Sequence, residues 1–83
     1  MNNGEHKTVE YAFYRRLGAV LSNVRHNKGL SIQNVAKRLK TSKTTVDNWE
    51  LGKTRISWDK FVKLCEIYGI STDLKINVDV TYE

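Results

Sequence analysis

From residue 13 onward, apolar residues return at spacings of three and four. Phe13, Leu17, Val20, Leu21 and Val24 form the first stripe, which predicts a helix from about Glu10 to Asn27. Gly29 follows, where a left-handed residue closes a helix. Ser31 caps a second helix, with Val35, Ala36 and Leu39 turned inward. After a break at Lys40-Thr41, Ser42 caps a third helix that buries Val46 and Trp49 and ends at Gly52. Ser57 caps a fourth, with Phe61, Leu64, Cys65 and Tyr68 as its stripe and Gly69 as its stop. The period then changes. Leu74, Ile76, Val78, Val80 and Tyr82 alternate with polar residues, the pattern of a strand with one buried face. A strand needs a partner for its backbone groups. Two partners are open: Thr8–Tyr14 of the same chain, where Val9, Tyr11 and Phe13 also alternate, or the same strand of a second molecule.

The 83 residues suit one domain, 1–83, with a helical core at 9–73 and the strand at 74–83. Val, Ile, Leu and Phe make up about 27% of the chain, above the ~20% level below which disorder is the better expectation. No apolar run is long enough to cross a bilayer. The polar Asn2-Asn3-Gly4-Glu5 after Met1 gives no secretory signal, so a cytoplasmic place is expected. One cysteine and two histidines lead to no expected disulfide, metal site or cofactor. The net charge of +5 is unevenly spread: −1 over residues 1–14, +9 over 15–63 and −3 over 64–83. A polyanionic partner would therefore meet the middle of the chain.

The second and third helices carry the candidate chemistry. Ala36 is small where the two must cross closely. The outer face of the third shows Lys43, Thr44, Asp47 and Asn48, all hydrogen-bonding side chains. A helix about ten residues and ~15 Å long with such a face suits a DNA major groove, which admits one helix. Other polar and aromatic residues read as structural. Trp49 and Trp58 are assigned to core and helix-staple roles, Cys65 to an inert buried thiol, and Tyr11, Phe13 and Tyr14 to a cover over the core. His6 and His26 lack a partner at useful spacing. Lys37, Arg38, Lys60 and Lys63 are read as solvated.

Several marks then fall in a fixed order: Lys28-Gly29-Leu30-Ser31, Val35-Ala36-x-x-Leu39, Thr41-Ser42, Val46-x-x-Trp49-Glu50-x-Gly52-Lys53 and Leu64-x-x-x-Tyr68-Gly69-Ile70-Ser71. In these the sequence resembles the phage-repressor and Cro-like helix-turn-helix family, also called Xre, from Leu17 to about Leu74. The resemblance implies a mainly α, compact, four- to five-helix, lambda-repressor-like domain, here followed by the C-terminal β-strand. It makes Lys43–Leu51 the recognition helix, with Lys43, Thr44 and Asn48 reading base edges and Asp47 nearby. Lysine suits the acceptors of guanine, and asparagine can pair with adenine through two bonds. Lys53 and Arg55 match a phosphate-gripping loop. Gln33, Thr41 and Ser42, at the starts of the two helices, are further phosphate candidates. Arg25 and Glu50 match a pair that ties the first helix to the end of the third. Three positions depart from the family pattern: Ile32 replaces a usual glutamine, Lys40 a turn glycine, and Ile56 a frequent proline. A left-handed lysine costs roughly 1–2 kcal/mol.

The implied function is sequence-specific double-stranded DNA binding by a non-enzymatic transcriptional regulator. The expected form is a Cro-like or prophage-type repressor, dimeric on a two-fold operator, with no ligand-sensing or catalytic domain beyond this fold. Ile76, Val78 and Val80 would form the dimer interface. The alternative is an antirepressor or antitoxin whose helix-turn-helix engages another regulator protein.

Overall fold

Four α-helices make up most of the residues that the computed structural model describes, which are 3–74 and 76. They are α1 (Asn3–Asn27), α2 (Ile32–Leu39), α3 (Lys43–Leu51) and α4 (Trp58–Tyr68). Three serines start three of them in one way. Ser31, Ser42 and Ser57 have extended backbones, and their hydroxyls accept from the N–H groups of Asn34, Thr45 and Lys60 at 3.0, 3.1 and 3.2 Å. Each cap satisfies an N–H that the first helical turn leaves free. At the other ends, Lys40, Gly52 and Gly69 take left-handed conformations and close α2, α3 and α4. Lys40, at φ 57° and ψ 46°, has the left-handed conformation expected of the turn lysine.

The apolar stripes meet as expected. Leu17 and Leu21 from α1 join Val35, Ala36 and Leu39 from α2, Val46 and Trp49 from α3, and Phe61, Leu64, Cys65 and Tyr68 from α4. Burying each large side chain of this set contributes roughly 1.5–3 kcal/mol before conformational entropy is counted. Helix α3 packs on both α1 and α2, and α4 packs on α2. Cys65 is buried, and its burial pushes the thiol pKa up. That leaves it a poor nucleophile. Tyr68 is also fully buried, and its Oη has no hydrogen-bond partner among the described residues. Burial, reinforced by the charge of Glu50, pushes its phenol up to about 12.

One crossing is tighter than the stripes foretell. A Cβ on Gly18 of α1 would stand 2.4 Å from the carbonyl oxygens of both Trp49 and Glu50. A Cβ on Gly52, besides needing φ +74°, would stand 2.7 Å from Arg15 Cα. The backbone of α1 therefore rests directly on the end of α3. Gly18 carries no signal in the apolar stripe; its only mark is being a glycine inside a helical pattern.

Two expectations fail at the ends of the chain. Thr8–Tyr14 is not a strand but part of α1, which starts at Asn3 rather than near Glu10. The alternation of Val9, Tyr11 and Phe13 is local, and Ala12, Arg15 and Arg16 carry the helix through it. Tyr11 (56% exposed) and Phe13 do not cover the core, because the buried stripe of α1 begins only at Leu17. Tyr14 does pack against it, with Phe13 edge-on at 5.0 Å between ring centroids. At the other end, Leu74 and Ile76 are not in a strand; both lie against the core instead. No strand exists among the described residues to pair with them. Val78 and Val80, the rest of the expected interface, lie outside the described residues.

Gly18→Ala tests the crossing. Alanine favours a helix by ~1 kcal/mol over glycine, but here its methyl meets backbone that cannot swing aside. A net loss of about 1–3 kcal/mol is expected in urea melts. Unchanged or higher stability would show that α1 and α3 can separate at little cost.

Candidate nucleic-acid interface

Three residues join α2 to α3, and their backbone is closed upon α2. The Lys40 N–H donates to Lys37 O at 3.2 Å and the Thr41 N–H to Ala36 O at 2.9 Å. Ser42 then caps α3, and its Oγ also shares a 2.8 Å hydrogen bond with Thr45 Oγ1. Because Val46 and Trp49 are held in the core, the opposite side of α3 is fixed toward solvent. Lys43 and Thr44 are exposed there, and Asp47 and Asn48 are half-buried. The four base-reading candidates thus share one short helix, clear of its buried side. Neither α2 nor α3 has an acidic residue in its first turn. No carboxylate of the first turn offsets the partial positive charge at either N-terminus.

The phosphate candidates divide. Gln33 stands exposed in the first turn of α2, and Lys53 is exposed beyond the α3 cap, its N–H bound to Asn48 O at 2.9 Å. Thr41 is half-buried in the turn, and the Ser42 hydroxyl is committed to the cap. Arg55 is exposed yet already engaged. Its guanidinium pairs with Glu10 of α1 and lies 5.7 Å from the Tyr14 ring centroid. Glu10, the start of the first expected helix, carried no expected site role; it belongs to the weakly acidic stretch that precedes the basic middle.

The expected structural pair is present. Arg25 Nε and Nη2 donate to the two carboxylate oxygens of Glu50 at 2.7 and 3.0 Å, and Nη1 donates to Leu30 O at 2.9 Å. The hydrogen bond to Glu50 holds the Arg25 pKa above its ordinary value, against the opposing effect of burial. One residue read as solvated has a role instead: Lys60 Nζ donates to Leu39 O at 3.1 Å, tying α4 to the last turn of α2. Lys63 makes only an exposed pair with Asp59 at 3.5 Å. Trp58, 69% exposed, leans on Phe61 with ring centroids 5.6 Å apart, as a staple would. His26 Nδ1 contacts Ser22 O at 2.8 Å on the surface. Among the described residues no group of His, Cys, Asp and Glu could hold a metal ion, and no helix is long and apolar enough to cross a membrane.

The two helices, their three-residue turn, α4 and α1 from Arg16 onward fall within residues 16–75, which match the family model described as a helix-turn-helix domain. The chain belongs to the helix-turn-helix domain family. Solved helix-turn-helix structures resemble it over most of its length. The restriction-modification controller protein C.AhdI from Aeromonas hydrophila superimposes with a TM-score of 0.71 at 27% identity, covering 75% of this chain and 90% of that one. The clp gene regulator ClgR from Corynebacterium glutamicum gives 0.68 at 25% identity, over 72% and 78%. The S. venezulae BldD DNA-binding domain, at 24% identity and a TM-score of 0.64 over 72% and 90%, shares the fold. A comparison with curated protein sequences gives no match. Family and fold are those of DNA-binding transcription regulators.

Two substitutions separate what holds the helix-turn-helix in place. Arg25→Ala leaves the Glu50 carboxylate nearly buried and unpaired, and should cost of order 3 kcal/mol. Lys40→Gly relieves left-handed strain of order 1 kcal/mol, partly offset by the freer unfolded chain, so stability should hold or rise. Denaturant melts of both variants measure this. Destabilisation by Lys40→Gly would contradict the turn geometry.

Proposed function

We propose that the protein binds double-stranded DNA sequence-specifically and regulates transcription by occupying its site. The observation that carries this reading is the solvent-facing row of Lys43, Thr44, Asp47 and Asn48 on a helix whose other side is locked in the core. In this reading Lys43, Thr44 and Asn48 touch base edges, with Asp47 beside them. Gln33, Thr41, Ser42, Lys53 and Arg55 meet phosphates around them. The excess of positive charge in residues 15–63 supplies the non-specific attraction. The named regulators ClgR and C.AhdI, which share the fold, support a regulatory role. The protein-partner alternative has less behind it, since the α3 face is polar apart from Leu51 at its end. Within this proposal the protein acts in the cytoplasm as a Cro-like or prophage-type repressor.

Asn48→Ala should weaken binding to the preferred duplex by about 1–3 kcal/mol and relax choice at one base pair. Lys53→Ala should weaken all duplexes alike and lower the salt slope by about one. Selection of sites from random DNA, followed by titration at several salt concentrations, measures both. Equal loss on selected and random duplexes for Asn48→Ala would remove it from the base-reading set.

Two copies would bind a two-fold site, with Val78 and Val80 in mutual contact and Ile76, which lies against its own core, at the edge of that contact. Changing Val78 and Val80 together to Asp should then give a monomer by sedimentation at micromolar concentration while the helical signal is kept. A dimer that survives both changes would place the contact elsewhere.

A further inference from the structure

The match to the helix-turn-helix family begins at residue 16, but α1 begins at Asn3. The forward part of α1 is therefore an addition to the shared domain, and it does not lie idle. Glu10, Tyr11 and Tyr14 form one wall of a shallow cavity of about 190 Å³, and residues 52–55 of the loop after α3 form the other. Arg55 bridges the two walls. Its guanidinium pairs with the Glu10 carboxylate and lies over the Tyr14 ring, which is itself packed on the core. On the same part of α1, Arg15 lies over Tyr11 at 5.4 Å, so its charge is turned along the helix.

A carboxylate and a phosphodiester present the same kind of anionic oxygens to the guanidinium fork. We infer that Glu10 sits on Arg55 in the seat of a DNA phosphate, so that the forward part of α1 competes with the DNA backbone and limits affinity. This rests on the DNA-binding reading above. The competing contact is weak enough to be displaced. Both side chains are about half exposed or more, at 64% and 48%, and such pairs contribute little in water. It is also local, since Glu10 comes from outside the matched domain while Arg55 comes from within it. Its effect should be blind to sequence, because a phosphate contact carries no base information.

The test uses the full chain and two duplexes, one of random sequence and one selected for tight binding, at ~0.15 M salt where charges are screened beyond ~8 Å. Glu10→Gln should tighten binding to both by about two- to fivefold, the range that an exposed pair can supply. Glu10→Ala should do the same. In an Arg55→Ala background, Glu10→Gln should leave affinity unchanged. An equal gain with and without Arg55 would mean that Glu10 acts only as diffuse negative charge, and would overturn the inference. Weaker binding by Glu10→Gln would also overturn it, because Glu10 would then be orienting Arg55 toward DNA. If the unaltered protein binds neither duplex, the DNA-binding reading falls and this inference falls with it. If it binds and Asn48→Ala acts selectively while Glu10→Gln has no effect, only the inference falls.

Discussion

The bidentate contact between Arg25 and Glu50 is the joint on which the exposed face of α3 depends. It spans from the last turn of α1 to the last turn of α3, and its third hydrogen bond, to Leu30 O, includes the loop before α2. The planar guanidinium fork fixes direction as well as distance, which a lysine at the same place could not do. Beside it, Gly18 and Gly52 let the backbones of α1 and α3 touch without intervening side chains. Helices of eight and nine residues are shorter than those that persist alone in water. The outer face of α3 therefore has no geometry of its own. It is a projection of the core, and its orientation is set where α1 meets the end of α3.

That dependence sorts the charged residues by what surrounds them. Residues that face the frame have their polar groups satisfied inside the protein: Arg25 by Glu50 and Leu30, Lys60 by the last carbonyl of α2. Residues that face outward from α2 and α3 do not. Gln33, Lys43 and Thr44 stand exposed, and the first turns that hold them contain no carboxylate. A surface that left these donors unpaired for no purpose would gain stability from a single acid at either helix start. Their absence at both starts fits a surface whose anions come from outside.

The central helices were legible in the sequence because cap, stripe and stop agree at each one. Ser31, Ser42 and Ser57 announce the starts, and Lys40 could be read as left-handed because it falls where the resembled family favours a turn glycine. The forward end of α1 misled for a physical reason. Val9, Tyr11 and Phe13 alternate as a strand would, and without a core beneath them helical spacing leaves no apolar trace there. Gly18 and Lys60 were illegible for another reason: a steric contact and a side-chain bond to a carbonyl depend on how helices cross, which periodicity does not encode. Among the candidate site residues, the α3 face followed directly from knowing which side of the helix is buried. The state of Arg55 did not, since its partner Glu10 lies 45 positions earlier and no spacing rule brings the first turn of the expected helix to the loop after α3.

The described residues contain two arginine–glutamate pairs of unlike character, and the contrast says how such a domain can be adjusted. In the Arg25–Glu50 pair both side chains are only 8% exposed. Removing either partner there strands a charge in a place water scarcely reaches, so the pair cannot trade partners and serves only as structure. The Arg55–Glu10 pair is open to solvent, and either group can let go at small cost. An anion arriving on Arg55 leaves Glu10 in water, not in a core. Changes of binding strength can thus accumulate on the forward part of α1 without loosening the joint that aims α3. The buried pair sets where α3 points; the exposed pair can set how firmly the loop after α3 holds what it meets.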